Sequence, residues 1–174
     1  PIKSRIRTIP HYPHKGIMFR DITTLLKDPV GLRTTIQEIT NRYQDVKVDK
    51  IAGIESRGFI IGAPVAYQLG LGFVPIRKQN KLPAETVGRD YQLEYGSDRI
   101  EIHVDAIQPG EHVLLIDDLI ATGGTAEAAV KLIQDTGGIV VECCFVIDLP
   151  DVGGRERLEK MDCKVYSLCA FEGD

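Results

Sequence analysis

The sequence has little of what marks membrane, secreted or nucleic-acid-binding proteins. Its longest apolar runs, such as Val113-Leu114-Leu115-Ile116, are only as long as a β-strand, so a transmembrane helix is excluded. Residues 1–5 lead into no apolar segment, and we therefore expect no secretory signal. The formal net charge at pH 7 is −4, which argues against the basic face that non-specific nucleic-acid binding requires. We expect neither a membrane nor a nucleic-acid partner.

Cysteine is also scarce. The four cysteines show no C-x-x-C motif and no Cys/His cluster with zinc spacing. Cys143 and Cys144 are adjacent, so in a strand they would point to opposite faces. Cys163 and Cys169 lie far downstream. We therefore expect reduced thiols in a cytoplasmic protein, not a disulfide framework.

The sequence does contain enough apolar residues for one domain, and a repeated β-α-β pattern. Hydrophobic residues make up 43% of its 174 residues, which is typical of a single domain with its own core. The pattern occurs first between residues 50 and 76 and again between residues 112 and 147, with its second helix at residues 125–133. It predicts a mainly parallel sheet covered by helices on both faces. Pro64 lies in the first helical stretch, so that helix is either kinked or begins late.

Other segments have different periods. Residues 91–95 and 100–104 alternate apolar and polar side chains on either side of residues 96–98, which predicts a half-exposed hairpin. An amphipathic helix is predicted at residues 30–43, after the start signal Asp28-Pro29.

The polar segment at residues 79–90 is predicted to be a loop. It is long for a compact domain, and such loops are commonly lids or disordered. Pro83 and Gly88 are its possible hinges.

The sharpest feature follows the strand predicted at residues 112–116. The strand ends in Asp117 and Asp118, and a short run of small residues then leads directly into a helix. Ligands of open α/β sheets bind at the carboxyl ends of strands, and small residues let backbone N–H groups converge on an anion. The helix N-terminus and two threonine hydroxyls add to this attraction, which predicts a monophosphate cradle. The cradle residues are Ala121, Thr122, Gly123, Gly124 and Thr125.

Two better-known phosphate motifs are excluded, because no lysine follows the glycines and no G-x-G-x-x-G is present. Like charges keep Asp117 and Asp118 from phosphate oxygens, but they can accept hydrogen bonds from vicinal sugar hydroxyls or orient the water shell of a metal. The combination predicts a ribose 5-phosphate group; the alternative is that both aspartates only cap the following turn. A valine at Gly123 is expected to block the phosphate and to leave the fold largely intact.

This segment resembles the phosphoribosyl-diphosphate motif of type I phosphoribosyltransferases, and further segments narrow the resemblance to those that act on adenine. These segments are Gly16-Ile17-Met18-Phe19-Arg20-Asp21-Ile22, Ser56-Arg57-Gly58-Phe59, Ile76-Arg77-Lys78 with Lys81-Leu82-Pro83, and Tyr91-Gln92-Leu93-Glu94-Tyr95-Gly96. The resemblance extends from about residue 12 to the C-terminus. The first motif alone is specific only for the superfamily, whereas the whole set is highly specific. One departure, His14-Lys15 where a proline is expected, affects the turn and not the chemistry.

The resemblance implies one α/β domain over residues 1–174, with a mainly parallel central sheet flanked by helices. A small hood would comprise residues 1–28 and 149–174, and a flexible lid loop and hairpin would comprise residues 79–104. The implied reaction joins adenine to the ribose of phosphoribosyl diphosphate through an oxocarbenium-like state, giving AMP and diphosphate. The implied cofactor is Mg²⁺, bound mainly through phosphoribosyl diphosphate, with no metal site of the protein's own. The partners are these small molecules and a second copy in a homodimer.

The leaving diphosphate must be neutralised. The resemblance assigns this task to Mg²⁺ and to Ser56, Arg57, Arg77, Lys78 and Lys81, with Arg57 also placed among the catalytic residues. Taken alone, Arg57 could be a surface arginine. The other three basic residues could be a solvated turn, or could contact a partner subunit.

The base must be held against carbon 1 of the ribose. The resemblance implies that Phe19 stacks on adenine, that the backbone from Met18 to Arg20 binds the ring edge, and that Leu149 packs on the opposite face. Backbone amides suit adenine, whose edge offers a donor and an acceptor, whereas a 6-oxopurine has the opposite polarity there. Phe19 could instead be a core aromatic, although its neighbours Arg20 and Asp21 favour a partly exposed shelf.

Glu94 is the candidate for moving the purine proton or orienting the sugar diol. The lid is hypothesised to be mobile in the free protein and to carry Glu94 toward the base when it closes. The alternative for Glu94 is an outward-facing carboxylate of the hairpin.

Two other functions remain as alternatives. One is transfer to another base, such as hypoxanthine or xanthine. The other is a regulator that senses phosphoribosyl diphosphate while binding DNA, which would need an added domain or a basic face that this acidic chain does not offer.

Overall fold

The computed structural model describes residues 1–93 and 95–173, and they form an α/β structure with one large sheet. The candidate residue Glu94 lies outside the described residues. The strands are β1 (Arg7–Pro10), β2 (Met18–Asp21), β3 (Lys50–Ile54), β4 (Gly72–Lys78), β5 (Thr86–Gln92), β6 (Ser97–His103), β7 (His112–Ile120), β8 (Ile139–Asp148) and β9 (Val165–Ala170). The helices are α1 (Thr23–Leu26), α2 (Pro29–Tyr43), α3 (Arg57–Leu69), α4 (Gly124–Asp135) and α5 (Gly154–Glu159).

The large sheet has the order β5-β6-β4-β3-β7-β8-β9. The five neighbouring strands β4, β3, β7, β8 and β9 pair in parallel. Strands β6 and β5 extend the sheet beyond β4 as an antiparallel edge. Successive side chains of β7 alternate between the two faces: Val113 and Leu115 pack with α4, whereas Leu114 and Ile116 pack with α2 and α3. Helices on both faces explain why the central strands are apolar throughout, and they confirm the predicted class.

The four cysteines follow the same alternation. Cys143 belongs to the core on the α4 face and Cys144 to the core on the opposite face, as their adjacency predicts. All four are free thiols.

Both predicted β-α-β units are present, with two differences in their bounds. Helix α3 begins at Arg57 and runs through Pro64, so it does not begin late. Strand β7 continues past Asp117 and Asp118 to Ile120, because Leu119 and Ile120 go on pairing with β8. The acid pair therefore lies within the strand, and the connection to α4 is only residues 121–123.

The hairpin is real, but the predicted strand bounds were wrong. Strands β5 and β6 pair from Thr86↔His103 to Gln92↔Ser97, so Ser97 and Asp98 are strand residues. The second half of the predicted polar loop is β5 itself, whose Val87 and Tyr91 pack on the α4-side core. Gly88 is no hinge: a Cβ there would lie 2.5 Å from the Arg99 guanidinium, so glycine gives that side chain room to cross the strand. The connection from β4 shrinks to residues 79–85.

The two ends of the chain have different positions. Strands β1 and β2 form a separate antiparallel pair, which fits an N-terminal hood. The C-terminal range predicted for the hood includes β9, which pairs in parallel with β8 at the edge of the large sheet. This strand is only six residues long and is partly exposed, so its pattern is too weak to identify from sequence. Among the described residues, no helix has the length and apolarity needed to cross a membrane.

Candidate active site

A cavity of about 730 Å³ opens at the carboxyl ends of β3 and β7. Its walls come from the N-terminal hairpin, the start of α3, the connection from β7 to α4, and the segment after β8. This is where ligands of open α/β sheets bind. Most of the residues singled out from the sequence lie on its walls.

All five cradle residues, Ala121 to Thr125, line the cavity. Gly124 is the first residue of α4, and the Thr122 hydroxyl accepts a long hydrogen bond of 3.5 Å from the Gly124 N–H. Gly123 has a φ of +84°, which favours glycine. The loop thus presents backbone N–H groups and hydroxyls at a helix N-terminus, which is the chemistry of an anion site.

Gly123 has a second reason to be glycine. A Cβ there would lie 2.9 Å from Gly154 Cα and 3.0 Å from the Gly154 carbonyl oxygen, both in the first residue of α5. The expectation that a valine at Gly123 leaves the fold intact is therefore wrong, because the added side chain meets the backbone of another segment.

The acid pair is asymmetric. Asp118 Oδ2 accepts a hydrogen bond of 2.5 Å from Arg57 Nε, whereas Asp117 Oδ1 accepts one of 2.8 Å from the Asp118 N–H. Loss of water around Asp117, reinforced by the neighbouring Asp118 charge, raises the Asp117 pKa well above its usual value. Within the described residues, the hydrogen bonds to these two carboxylates come from Arg57 and from the Asp118 N–H and not from the 121–125 turn, so capping of that turn does not explain the pair.

Ser56 and Arg57 line the cavity from the β3–α3 connection. Helix α3 starts so close to β7 that a Cβ at Gly58 would lie 3.0 Å from the Ile116 carbonyl oxygen and 3.1 Å from Asp117 Oδ1. Glycine at this position lets Arg57 reach Asp118 across the cavity floor.

Of the three other predicted basic residues, only Lys78 lines the cavity. Its ammonium group donates to Tyr91 Oη at 2.9 Å and also pairs with Asp98. Burial opposes the charged form, but these hydrogen bonds prevail and raise the Lys78 pKa. Arg77 instead donates to Glu55 at 3.0 Å, because neighbouring strand residues point to opposite sides.

Lys81 lies in the 79–85 connection, is exposed, and does not line the cavity. Arg77 and Lys81 are therefore separated from Lys78, although the sequence places the three side by side. Neither Arg77 nor Lys81 lines the cavity, and Arg77 reaches only Glu55, which does line it, so nothing in this structure supports their predicted role.

The predicted base-binding residues also line the cavity. Phe19 is half-buried, with its ring edge-on to Tyr12 at a centroid distance of 5.1 Å, so its exposure fits a shelf better than a core position. Leu149 is buried at the end of β8. The Arg20 guanidinium donates to Thr8 Oγ1 at 2.6 Å and lies 4.7 Å from the Phe171 ring centroid.

Sequence reasoning missed several residues of the site. Tyr91 was quoted as part of a family motif but given no role, because the bounds of its strand were misjudged, and Glu55 was missed because it precedes the Ser56-Arg57-Gly58-Phe59 motif. Asp151 lines the cavity and also accepts a hydrogen bond of 2.7 Å from the Gly173 N–H. The Gly153-Gly154 doublet was the available signal for a tight turn near the site.

The chain was compared with known proteins and structures. The sequence model of the Phosphoribosyl transferase domain matches residues 23–172. An adenine phosphoribosyltransferase of Nitrosospira multiformis is 79% identical over 173 residues, covering 99% of each chain.

Solved structures agree with this. The adenine phosphoribosyltransferase of Thermoanaerobacter pseudethanolicus superposes with a TM-score of 0.93 at 48% identity, covering 98% of each chain. The enzyme of Saccharomyces cerevisiae, solved in complex with adenine and an imino-altritol bisphosphate, has a TM-score of 0.90 at 38% identity, covering 96% of each chain.

Proposed function

This chain belongs to the phosphoribosyl transferase family, among the adenine phosphoribosyltransferases, and from that membership we propose how its cavity performs the reaction. The protein is a purine-salvage enzyme that transfers the 5-phosphoribosyl group from phosphoribosyl diphosphate to adenine, giving AMP and diphosphate. One observation supports this chemistry above all. A single cavity holds an anion-binding loop, a pair of carboxylates and an aromatic shelf, which suit a phosphate, a ribose and a base in that order.

The 5-phosphate binds to residues 121–125. Backbone N–H groups and the hydroxyls of Thr122 and Thr125 donate to its oxygens, and the N-terminus of α4 favours its negative charge. The ribose hydroxyls then lie toward Asp117 and Asp118, whose oxygens accept their hydrogen bonds. This arrangement fixes carbon 1 between the leaving group and the base.

The diphosphate leaves toward Ser56, Arg57 and Lys78. In this structure Arg57 is paired with Asp118 and Lys78 with Asp98. When the diphosphate binds, these cations turn part of their hydrogen bonding to its oxygens, where charge develops as the bond to carbon 1 breaks. Lys81 takes part in the same neutralisation when the 79–85 connection closes, and Arg77, which lies in β4, takes part through its ion pair with Glu55 on the cavity wall.

The residues present fit a magnesium ion that arrives with phosphoribosyl diphosphate. The carboxylate oxygens of Asp117 and Asp118 can accept hydrogen bonds from the water shell of Mg²⁺. Within residues 1–93 and 95–173, no three His, Cys, Asp or Glu side chains converge on a metal site. When bound, Mg²⁺ would supply positive charge to the leaving diphosphate.

Adenine lies on Phe19, between the backbone of Met18 to Arg20 and the side chain of Leu149. Its ring nitrogen attacks carbon 1 as diphosphate departs, and the proton of that nitrogen must then leave. Glu94 is proposed to accept or relay this proton, or to orient the diol. Backbone donors and acceptors along β2 select the amino-purine edge over the 6-oxo edge.

The remaining parts of the proposal concern assembly and location. The terminal segments act as the hood, and the 79–85 connection acts as a lid that excludes water from the reacting centre. The rest of the predicted lid is not mobile in this proposal, because β5 is held to α4 by the Arg89–Asp135 ion pair. The protein works as a homodimer in which the 77–81 region contacts the partner. Its four free thiols suit the reducing cytoplasm.

Product analysis tests the proposed specificity. The protein is mixed with phosphoribosyl diphosphate, Mg²⁺ and adenine, hypoxanthine, guanine or xanthine in turn, and the nucleotides are separated. AMP is expected as the dominant product, because only adenine matches the polarity of the β2 backbone. IMP or XMP formed with a comparable kcat/KM would contradict the assignment.

A further inference from the structure

Helix α5 packs directly on the proposed phosphate loop. The Gly154 N–H donates to the Ala121 carbonyl at 2.9 Å. A Cβ at Gly154 would lie 2.5 Å from that oxygen and 2.8 Å from Gly123 N, so two glycines face each other with no room for side chains. The loop is therefore supported from behind by the backbone of a segment far away in sequence.

One side chain of α5 extends this contact. Arg157 lies three residues after Gly154, and its guanidinium spans the loop and the first turn of α4. One terminal nitrogen donates to the Thr122 carbonyl at 3.5 Å, and the other to Glu127 Oε1 at 2.9 Å. The first nitrogen is also 3.6 Å from the place where a Cβ of Gly124 would be.

This position gives Arg157 two physical effects on a phosphate. The loop has no cation of its own, and in the described part of the chain Arg157 is the only charged side chain that hydrogen-bonds to it. The long hydrogen bond to the Thr122 carbonyl also favours one direction of the following N–H, because the two groups of a trans peptide point opposite ways. Both effects favour the bound anion: the first attracts its negative charge, and the second orients an N–H group of the loop.

We propose that Arg157 is a positioning residue for the 5-phosphate, which orders the loop at residues 121–125 and adds the positive charge that the loop lacks. The proposal rests on the assignment of that loop to the phosphate in the proposed function. Arg157 acts from outside the cavity, since it is not among the residues that line it.

A substitution at Glu127 distinguishes an effect of the Arg157 charge on the phosphate from a purely structural role of the Arg157–Glu127 pair. It pairs with Arg157 but brings a negative charge to the first turn of α4, near the proposed phosphate position. If the pair only braces the fold, loss of either partner has the same consequence. If the positive charge acts on the phosphate, Arg157→Gln weakens binding, whereas Glu127→Gln leaves it unchanged or strengthens it.

The experiment is calorimetry of AMP, ribose 5-phosphate and adenosine binding to the wild-type protein and to Arg157→Gln, Arg157→Lys and Glu127→Gln. For Arg157→Gln we expect AMP and ribose 5-phosphate to bind about fivefold more weakly, with adenosine unchanged, because one partly exposed charge is lost. Arg157→Lys keeps the charge and should recover most of the affinity. The difference should shrink in high salt, since the guanidinium is partly exposed.

Arg155→Gln is the matched control from the same helix. Arg155 donates to the Val165 carbonyl at 2.8 Å and approaches Asp148, so it contacts the sheet and not the loop. Its loss should lower the melting temperature without changing AMP affinity. Thermal melting of every variant shows whether it is folded at the temperature of the titrations.

Several outcomes would overturn the inference. Equal weakening by Arg157→Gln and Glu127→Gln would mean that the pair is only a brace, and unchanged AMP affinity in Arg157→Gln would remove the role altogether. Thr125→Ala separates these failures from failure of the proposed function. If Thr125→Ala weakens AMP binding while Arg157→Gln does not, the loop binds phosphate without Arg157; if neither does, the phosphate site itself is misassigned.

Discussion

The two sides of the cavity are built by different means. On the phosphate side, the 121–125 loop is held by backbone contacts, with Gly123 against Gly154 and a hydrogen bond from Gly154 to Ala121. On the diphosphate side, the predicted contacts are ionic side chains that are already paired, Arg57 with Asp118 and Lys78 with Asp98.

This difference separates a preformed site from one that must exchange partners. A backbone loop that is fixed before binding loses little conformational freedom when the phosphate arrives. A cation that is paired within the protein has its charge balanced there, and it must give up part of that pairing to stabilise a leaving group. In the proposed reaction, the 5-phosphate, which is the same before and after the transfer, meets the backbone loop, and the departing diphosphate meets the paired side chains.

Substitution in the backbone-held loop on the phosphate side should have the largest effect on stability and on AMP binding. Gly123→Ala adds a Cβ 2.9 Å from Gly154 Cα at a positive φ, and we expect it to destabilise the fold by about 3 kcal/mol and to abolish AMP binding. Gly153→Ala is the matched control, because its φ is +94° but nothing lies within 4 Å of the added atom. It should cost only about 1 kcal/mol. Chemical denaturation measures both, and equal losses would show that backbone conformation matters and the close approach does not.

The acid pair between the two sides should make stability depend on pH. The raised pKa of Asp117 means that the folded protein keeps a proton that the unfolded chain releases. Its contribution to stability is present below the unfolded pKa of about 3.9 and is lost as the pH rises toward the folded pKa. Asp117→Asn should therefore become more stable relative to wild type from about pH 4 upward. The gain is about 1.4 kcal/mol for each unit by which the pKa of Asp117 in the folded protein exceeds its pKa in the unfolded chain.

Denaturation at several pH values checks this, with Asp45→Asn as the control for an exposed carboxyl. The same Asp117→Asn protein should have a lower kcat/KM at neutral pH, since it loses an acceptor for the ribose. Stability curves that stay parallel, with activity intact, would remove Asp117 from the site.

The smallest effect is expected in the 79–85 connection, which follows Lys78 on the diphosphate side. It is a change in hydrogen exchange that appears only when ligand binds. The 79–85 connection contains exposed residues such as Lys81, whereas β5 is paired along its length with β6 and held to α4 by the Arg89–Asp135 ion pair at 2.8 Å. Phosphoribosyl diphosphate with Mg²⁺ should slow hydrogen exchange in residues 79–85 by about tenfold, with little change in β5. Exchange that is equally fast with and without ligand would show that the connection does not close.

Sequence alone determined the parts of this protein whose signals are local. The apolar runs of the central strands, the small residues before α4 and the acid pair that precedes them could be interpreted without a structure, because a parallel sheet needs buried strands and an anion loop needs small residues. The family motifs added adenine as the acceptor base. Phe19, Leu149, Ser56, Arg57 and the loop residues were all found in this way, and the structure brings them to one cavity.

Only the tertiary structure decided which of these residues meet. It separated Lys78 from Arg77 and Lys81, paired Arg57 with Asp118, and turned half of a predicted loop into β5. It also placed Gly154 and Arg157 behind a loop about thirty residues earlier in the chain. No periodicity could reveal these contacts, because a pattern reports which face of its own element a residue occupies, whereas contacts between distant segments depend on how the elements pack.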